Sequence, residues 1–407
     1  MTFESRAASL RWLAVTIFVL SSTLNYLDRQ ILSVFAPQIV AQFHTNLTNF
    51  GWLLSLFSIS YAAAALFAGW FLDRAGVNRA ISAAVAWWSL AAVASGLAPT
   101  FAWLGVSRAA LGIGESAGVP AVGKLNGIYL KPEERALGAA VNQVGLSFGS
   151  ALIPLWVALA GVTSWRVPFL CAGLLGWLWI PLWRVVNRWI PPACGEIDAP
   201  APKAQRSSWS ALRDRRLIIL VAANVLWMGS YSLWSNWSFI YYTRVYHVSL
   251  KEAASYLWIP PLVSNIGGFF GGWLSLAWMR RNQSAVSSRR RAVWVSTFGG
   301  LLGLLLPLTT HPGWGTVLIS TSFFFALAGS VNIYALPIDI FGASRAGFAI
   351  AALTCAFGIL QTVTSPIIGW LSDHHLYTQV IWIATAPLLL SAAILQLLPA
   401  KQQTLRT

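Results

Sequence analysis

The sequence consists mostly of apolar runs that are long enough to cross a lipid bilayer as α-helices. A membrane-spanning helix needs about 20 consecutive, mostly apolar residues. Hydrophobic residues make up 57% of this 407-residue chain, and only 10% are charged, whereas a soluble protein carries about 25% charged residues. The chain is therefore predicted to be an all-α membrane protein, since a β-barrel would show alternating strands of about ten residues.

Twelve candidate spans are separated by short polar turns. They cover residues 12–38, 48–72, 80–98, 101–129, 135–160, 167–189, 217–243, 252–279, 292–309, 314–340, 346–371 and 377–398. A long, charged, proline-containing stretch divides them into six and six. The predicted organisation is an N-terminal six-helix bundle (1–190), a cytoplasmic linker (191–216) and a C-terminal six-helix bundle (217–407). The first apolar segment does not end in a small-residue cleavage site, so no cleavable signal peptide is expected.

The net charge of +15 has an uneven distribution along the chain. With the N-terminus inside, most of the 27 Lys and Arg residues fall in cytoplasmic loops, and only Arg166, Arg244 and Lys251 fall outside. This is the positive-inside pattern, which predicts that both termini are cytoplasmic. The excess positive charge is therefore explained by topology, and no nucleic-acid partner is expected.

Charged residues within the predicted spans are the strongest functional signal. Asp28 and Arg29 lie in the first span, and Arg108 and Glu115 lie in the fourth. An ionised group at mid-bilayer costs about 2.5–3.5 kcal/mol on insertion scales, so such groups face a polar cavity, pair with each other or do work. Lys124, later in the fourth span, is expected to extend to the cytoplasmic interface.

The turn after the second span carries the pattern Gly69, Asp73, Arg74, Gly76 and Arg79. A helix is predicted to end here, turn at Gly76 and start again, with Asp73 close to a helix N-terminus that favours an anion. With twelve spans in two halves, this pattern resembles the gating motif between the second and third helices of the major facilitator superfamily.

A closer resemblance is to the anion:cation symporter branch of that superfamily. It is carried by residues 25–29 (Asn-Tyr-Leu-Asp-Arg), 108–115, 120–124, 132–136 and 336–341. Members of this branch carry hexuronates, aldonates, aldarates and, in animals, glutamate and phosphate. The resemblance implies a twelve-helix major facilitator fold and proton- or sodium-linked transport of organic anions.

Two segments depart from the pattern of this branch. Residues 128–132 lack the Trp-Phe-Pro that often ends the fourth helix, and residues 237–241 lack the proline of the Trp-x-Pro-x-Tyr often found in the seventh. The second segment is expected to line a cavity, so the resemblance constrains the branch more than the substrate.

The resemblance also implies roles for the four charged residues. By motif position, Arg29 contacts the substrate carboxylate, Glu115 serves proton coupling with Asp28 as the next candidate, and Asp28 pairs with Arg108. The residue chemistry is consistent with these roles, because arginine presents a planar fork that suits a carboxylate. Seven helical residues make nearly two turns, so Arg108 and Glu115 share one face about 10 Å apart. A purely structural Asp28–Arg108 ion pair remains an alternative.

Neutral side chains in the spans are further candidates for substrate contacts. Hydroxyl, amide and indole groups suit the hydroxyls of a sugar acid. The candidates of this kind are Tyr26, Tyr61, Gln143, Trp237 and Asn332.

The sequence as a whole predicts a secondary active transporter in the bacterial inner membrane. We expect proton-coupled symport of a small organic anion, most simply a sugar acid, by alternating access to a mid-membrane site between the two halves. The partners are then the anion, protons and the lipid bilayer, and the carrier is monomeric. No enzymatic activity, cofactor or metal site is expected. The alternatives are an exporter or facilitator of amphipathic or other carboxylate compounds, and a non-transporting membrane sensor.

Overall fold

The computed structural model describes residues 3–130, 134–161, 164–189, 213–281 and 284–399. Within these ranges, the side chains of residues 3–8, 66, 73, 135, 136, 139, 140, 160 and 343–347 are outside the description. All regular secondary structure in the described ranges is helical, which confirms the predicted all-α class.

The chain folds into two compact units, Met1–Lys203 and Ala204–Thr407. The helices of the first unit are α1 (Phe3–Val34), α2 (Ala36–Gln42), α3 (Leu47–Ala75), α4 (Val77–Gly96), α5 (Phe101–Glu115), α6 (Gly118–Tyr129), α7 (Arg135–Ala160) and α8 (Arg166–Trp189). Most of the predicted linker, residues 191–216, lies outside the described residues. The domain boundaries drawn from the sequence stay a prediction.

The second unit is also helical in its described residues. Its helices are α9 (Arg215–Val245), α10 (Leu250–Leu257), α11 (Ile259–Met279), α12 (Ala285–Gly300), a 3₁₀ helix (Leu301–Leu308), α13 (Pro312–Phe341), α14 (Ala343–Asp373), α15 (Tyr377–Thr385) and α16 (Pro387–Leu395). Near the start of α12, Arg289 forms an ion pair with Asp339 of α13.

Nine helical stretches of the described residues have the length and apolarity of membrane spans. The predicted spans outside these nine correspond to α3, to the α5–α6 pair and to α11. Every one of the predicted spans overlaps a helix or a pair of consecutive helices. The structure is thus consistent with twelve spans, and the exact count stays a prediction.

Proline residues interrupt several helices that the sequence suggested were continuous. Between α5 and α6, the chain leaves the helix at Ser116 and Ala117. Pro120 has no N–H for the Ser116 carbonyl, and its ring clashes with that carbonyl, which explains the interruption. Prolines also stand at the first or second position of three further helices that follow such breaks: Pro37, Pro260 and Pro387.

Glycines allow α1 to pack closely against α7. A side-chain carbon added at Gly149 would collide with the Thr23 carbonyl oxygen, and Gly145 is similarly close to Val19. The Thr23 hydroxyl donates a hydrogen bond of 3.0 Å to the Gly145 carbonyl. Small residues and a hydroxyl at a membrane helix contact are typical of tightly packed bundles, and here they fix the helix that carries Asp28 and Arg29.

Candidate functional site

Four charged residues come together in the first unit. Asp28 and Arg29 lie on α1, and Arg108 and Glu115 lie on α5. Asp28 and Arg108 are each 1% exposed, Glu115 is fully buried, and the Arg29 side chain is 25% exposed. Arg29 is therefore the member of this charged cluster that a ligand can reach.

The closest contact in the charged cluster joins Arg29 to Glu115. The Arg29 Nε donates a hydrogen bond of 2.8 Å to Glu115 Oε2. Glu115 is the last residue of α5, so the break before Pro120 ends the helix beside α1. The second oxygen, Oε1, is buried without a hydrogen-bond partner. The two residues with the strongest predicted roles are thus in direct contact, which the sequence did not predict.

Three aromatic rings surround the Arg29 guanidinium. Its central carbon lies 5.2 Å from the ring centroid of Tyr26, 4.9 Å from that of Phe57 and 4.8 Å from that of Tyr61. Tyr26 is one turn before Arg29 on α1, and Phe57 and Tyr61 are four residues apart on α3. We call these three rings the aromatic box. Each ring face attracts the cation, so the box holds the guanidinium in place while leaving part of it exposed.

Phe57 belongs to the candidate site although the sequence did not single it out, whereas Tyr26 and Tyr61 were predicted candidates. The helical spacing of Phe57 and Tyr61 was available as a signal, because residues four apart share a helix face. An apolar Phe in a membrane span carries no chemical cue of its own, so the sequence alone does not distinguish it from a packing residue.

Gly112 allows α3 to approach α5 at the aromatic box. A carbon added at Gly112 would lie 2.5 Å from the Phe57 carbonyl oxygen and would collide with Ser60 Oγ. Gly112 lies three residues before Glu115 on α5. The close approach at this glycine therefore sets the distance between Glu115 on one helix and the rings of Phe57 and Tyr61 on the other.

Arg108 is held by residues of α4 and α8. Its Nη2 donates a hydrogen bond of 2.6 Å to Ser95 Oγ, and its guanidinium carbon lies 4.7 Å from the ring centroid of Phe169. The Nε atom is buried without a hydrogen-bond partner. Ser95 and Phe169 thus hold the guanidinium of Arg108 in place within the first unit.

The structure differs from the predicted Asp28–Arg108 pair. Among the described residues, no ion pair within 4.0 Å joins these side chains, and the Asp28 Oδ1 atom is buried without a hydrogen-bond partner. The Asp28 carboxyl still interacts electrostatically with Arg108, Arg29 and Glu115. The physical reason is that Ser95 and Phe169 hold the Arg108 head group, so the attraction to Asp28 acts over a longer distance.

The predicted gating motif forms a sharp turn. α3 ends at Ala75 and α4 begins at Val77, with Gly76 between them at φ +77°, which confirms the turn expected there. A positive φ is accessible to glycine without strain. Arg74 is exposed and stacks 5.8 Å from the Trp70 ring centroid. The Asp73 side chain lies outside the described residues, and the gating role of Gly69, Asp73, Arg74, Gly76 and Arg79 stays a prediction.

The other neutral candidates have varied surroundings. Gln143 is half-buried on α7. In the second unit, Trp237 is buried and lines a cavity of about 20 Å³ with Tyr241 and Tyr377. Asn332 is fully buried, and its amide donates to the carbonyls of Gly271 and Ala328, each at 2.9 Å. That amide joins α13 to α11, so its hydrogens are already used in helix packing.

A larger cavity lies elsewhere on the first unit. It measures about 540 Å³ and is lined mainly by apolar residues of α3, α4 and α5, among them Phe67, Trp70 and Trp87. None of the four residues of the charged cluster lines it. Its apolar walls do not suit a small organic anion, so the candidate anion site remains at Arg29.

The sequence is similar to one protein family and to transporters named within it. The sequence model of the Major Facilitator Superfamily matches residues 18–288. The hexuronate transporter of Escherichia coli K12 is 24% identical over 383 residues, which cover 89% of this chain and 88% of that protein. The galacturonate transporter of Dickeya chrysanthemi is 26% identical over 337 residues, covering 78% of this chain and 94% of that protein.

A solved structure shares the fold. It is a bacterial homologue of the human lysosomal transporter Spinster, in an inward-facing and unoccupied conformation. It aligns with a TM-score of 0.76 at 18% sequence identity and covers 95% of this chain and 96% of that chain.

Proposed function

Because this chain belongs to the Major Facilitator Superfamily, a family of transporters and not of enzymes, we propose that it carries a small organic anion, most simply a sugar acid, across the membrane with protons. Its relatives named as hexuronate and galacturonate transporters support an organic anion as the substrate. The proposal is for a monomeric, multi-pass carrier in the bacterial inner membrane with both termini cytoplasmic, on the sign of the loop charges.

The observation that carries this proposal is the Arg29–Glu115 contact. Arg29 keeps a permanent positive charge and a planar fork that suits a carboxylate, and a quarter of its side chain is exposed. Its present partner is a carboxylate on the protein, Glu115 Oε2 at 2.8 Å. A substrate carboxylate of the same chemistry would replace that partner at the same guanidinium.

This arrangement links substrate binding to a proton. A buried carboxyl that has lost its cationic partner favours the neutral form, because the charged form is poorly solvated. When the substrate takes Arg29, Glu115 therefore takes up a proton. When Glu115 releases the proton, it competes again for Arg29 and expels the substrate. Asp28, buried close by, is the next residue able to carry a proton.

The experiment that tests the proposal separates exchange from accumulation. Wild-type protein and Glu115→Gln are reconstituted in vesicles and assayed with labelled D-galacturonate and D-glucuronate. Glu115→Gln keeps the shape of the protonated carboxyl, so it should bind and exchange substrate across the membrane. It should fail to accumulate substrate when an inward proton gradient is imposed. Glu252→Gln, a change at an exposed residue of α10, is the matched control and should behave as wild type.

Two results would contradict the proposal. Proton-driven accumulation at the wild-type rate in Glu115→Gln would show that the coupling proton is carried elsewhere. Folded wild-type protein that exchanges no sugar acid but moves amphipathic compounds would favour the alternative of an exporter or facilitator.

A further inference from the structure

One end of the second unit carries eight arginines whose side chains the structure describes. They are Arg213, Arg215, Arg216, Arg280, Arg281, Arg289, Arg290 and Arg291. The start of α9 meets the end of α13 here, because the Arg216 guanidinium carbon lies 5.1 Å from the Phe341 ring centroid. The start of α12 meets it too, through the Arg289–Asp339 ion pair. Two carboxylates of the described residues, Asp214 and Asp339, lie at this end, so positive charge is in large excess.

Three of these arginines are used inside the fold, and five face outward. Arg216 and Arg289 pair with the two carboxylates, and Arg290 Nη1 donates a hydrogen bond of 2.7 Å to the Leu398 carbonyl just after α16. The other five are exposed, and within the described part of the chain no side-chain hydrogen bond or ion pair engages them. Their charge is therefore open to a ligand from outside the protein.

Arg291 lies at the end of an exposed apolar stripe on α12. Successive helical residues point about 100° apart. With Arg289 directed at α13 and Arg290 at the end of α16, Arg291 takes a third direction and is exposed. Val295 and Phe298, four and seven residues further on, share its face and are 39% and 64% exposed.

The preceding helix, α11, repeats this arrangement. Arg280 directly follows α11 and keeps helical dihedral angles, φ −62° and ψ −16°. Leu276 and Trp273, four and seven residues before it, are exposed and share its face. Only residues 280–284 separate α11 from α12, and the two helices pack against each other. Both apolar stripes therefore end in an arginine at the same end of the unit.

We propose that α11 and α12 bind an anionic phospholipid, with its headgroup phosphate at Arg280 and Arg291 and its acyl chains along the two apolar stripes. A guanidinium matches the oxygens of a phosphate with parallel N–H donors, and basic residues at a membrane surface attract anionic lipids. A free phosphate ion would use the arginines and leave the stripes uncovered. Arg281 adds a further positive charge beside Arg280. Binding here does not depend on which substrate is carried.

Native mass spectrometry of the full chain measures the lipid preference. The purified protein is equilibrated in a neutral detergent with equal amounts of phosphatidylglycerol and phosphatidylcholine that have the same acyl chains. Phosphatidylglycerol should be retained over phosphatidylcholine at least about fivefold, the gain from one basic residue near a membrane surface. An excess of inorganic phosphate should leave this ratio unchanged, because the acyl chains contribute to binding.

Two matched pairs of substitutions separate a site from a general effect of charge. Arg280→Gln with Arg291→Gln should lower the retention ratio at least about fivefold. Arg213→Gln with Arg215→Gln removes the same charge from the same end and should leave the ratio as in wild type. The control arginines have no long apolar stripe beside them, since residues 219–230 of α9 are all buried or half-buried.

A third variant tests the acyl-chain part of the site. Phe298→Ala should raise the phosphatidylglycerol concentration for half-saturation at least about threefold, because apolar area that the chains would cover is lost. Phe148→Ala, at an exposed position of α7 in the first unit, is the control and should bind as wild type.

Four results would overturn the proposal. They are equal retention of the two lipids by wild type, an equal fall of the ratio in both arginine pairs, displacement of phosphatidylglycerol by inorganic phosphate, and unchanged half-saturation in folded Phe298→Ala. The second would indicate a general effect of charge at this end, and the third would indicate a site for an anion without acyl chains. Each would leave the proposed sugar-acid transport standing.

Discussion

Arg29 is the residue at which the proposed binding and coupling roles meet. Its Nε contacts Glu115, its guanidinium lies within the aromatic box, and part of its side chain remains exposed. Few side chains combine a permanent charge with flat faces for stacking and two parallel N–H donors for a carboxylate. The proposed binding of a carboxylate therefore depends on the shape of this group as much as on its charge.

Replacing Arg29 by Lys should weaken binding of the substrate carboxylate by at least about tenfold, although the charge is kept. Lysine offers a compact ammonium without the planar fork, and it stacks less well on Tyr26, Phe57 and Tyr61. Calorimetry with D-galacturonate measures the change. Arg188→Lys, at an exposed position near the end of α8, is the control and should bind as wild type. Unchanged affinity in both Arg29→Lys and Arg29→Ala would remove Arg29 from the site.

At the scale of helices, the site depends on where α5 ends and on how closely α3 approaches it. The break before Pro120 makes Glu115 the last residue of α5, and Gly112 allows the contact with the carbonyl of Phe57. Interrupted helices at membrane depth are tolerated where they are buried in protein or line a cavity. The same local features that weaken the helix thus position Glu115, the carboxyl that we propose carries the proton.

Gly112→Ala should separate α3 from α5 and weaken both stability and substrate binding. The new methyl group would overlap Ser60 Oγ and the Phe57 carbonyl, and overpacking of this kind costs about 1–3 kcal/mol. Gly123→Ala on α6 is a matched control, because a carbon added there meets nothing within 4 Å. That control should be neutral or slightly stabilising, as alanine is the better helix former.

Thermal unfolding and D-galacturonate affinity of both glycine variants decide the outcome. The prediction requires a lower melting temperature and weaker binding in Gly112→Ala alone. Equal melting temperatures and equal affinities in the two variants would show that the close approach of α3 to α5 is unimportant for the site.

At the scale of the whole molecule, the chain is two helical units joined by a polar stretch. Each unit has its own buried core, one containing Trp88 and Trp183 and the other Trp227 and Leu353. The net charge of +15 is concentrated in loops that the positive-inside rule assigns to the cytoplasm. A single proteolysis experiment therefore tests both the membrane topology and the position of the linker between the two halves.

Limited proteolysis should cut within residues 191–216 only when the protease reaches the cytoplasmic face. This stretch contains several basic residues for trypsin and prolines that disfavour regular structure. Inside-out vesicles should give two fragments of roughly half the chain, and right-side-out vesicles should give none. The reverse result would invert the proposed topology.

The sequence by itself determined the helical class, the turn at Gly76 and the candidacy of Asp28, Arg29, Arg108 and Glu115. These features are local, since bilayer thickness fixes the length of an apolar run, glycine permits a positive φ, and charges in apolar runs stand out. Only the tertiary structure decided which charges touch. It places Arg29 in contact with Glu115 and the Arg108 head group in contact with Ser95 and Phe169. It also places the Phe57 ring beside the Arg29 guanidinium. Such contacts depend on the relative rotation and distance of helices that are far apart in sequence. Packing at residues such as Gly112 sets that rotation and distance, and the spacing of residues within one helix does not.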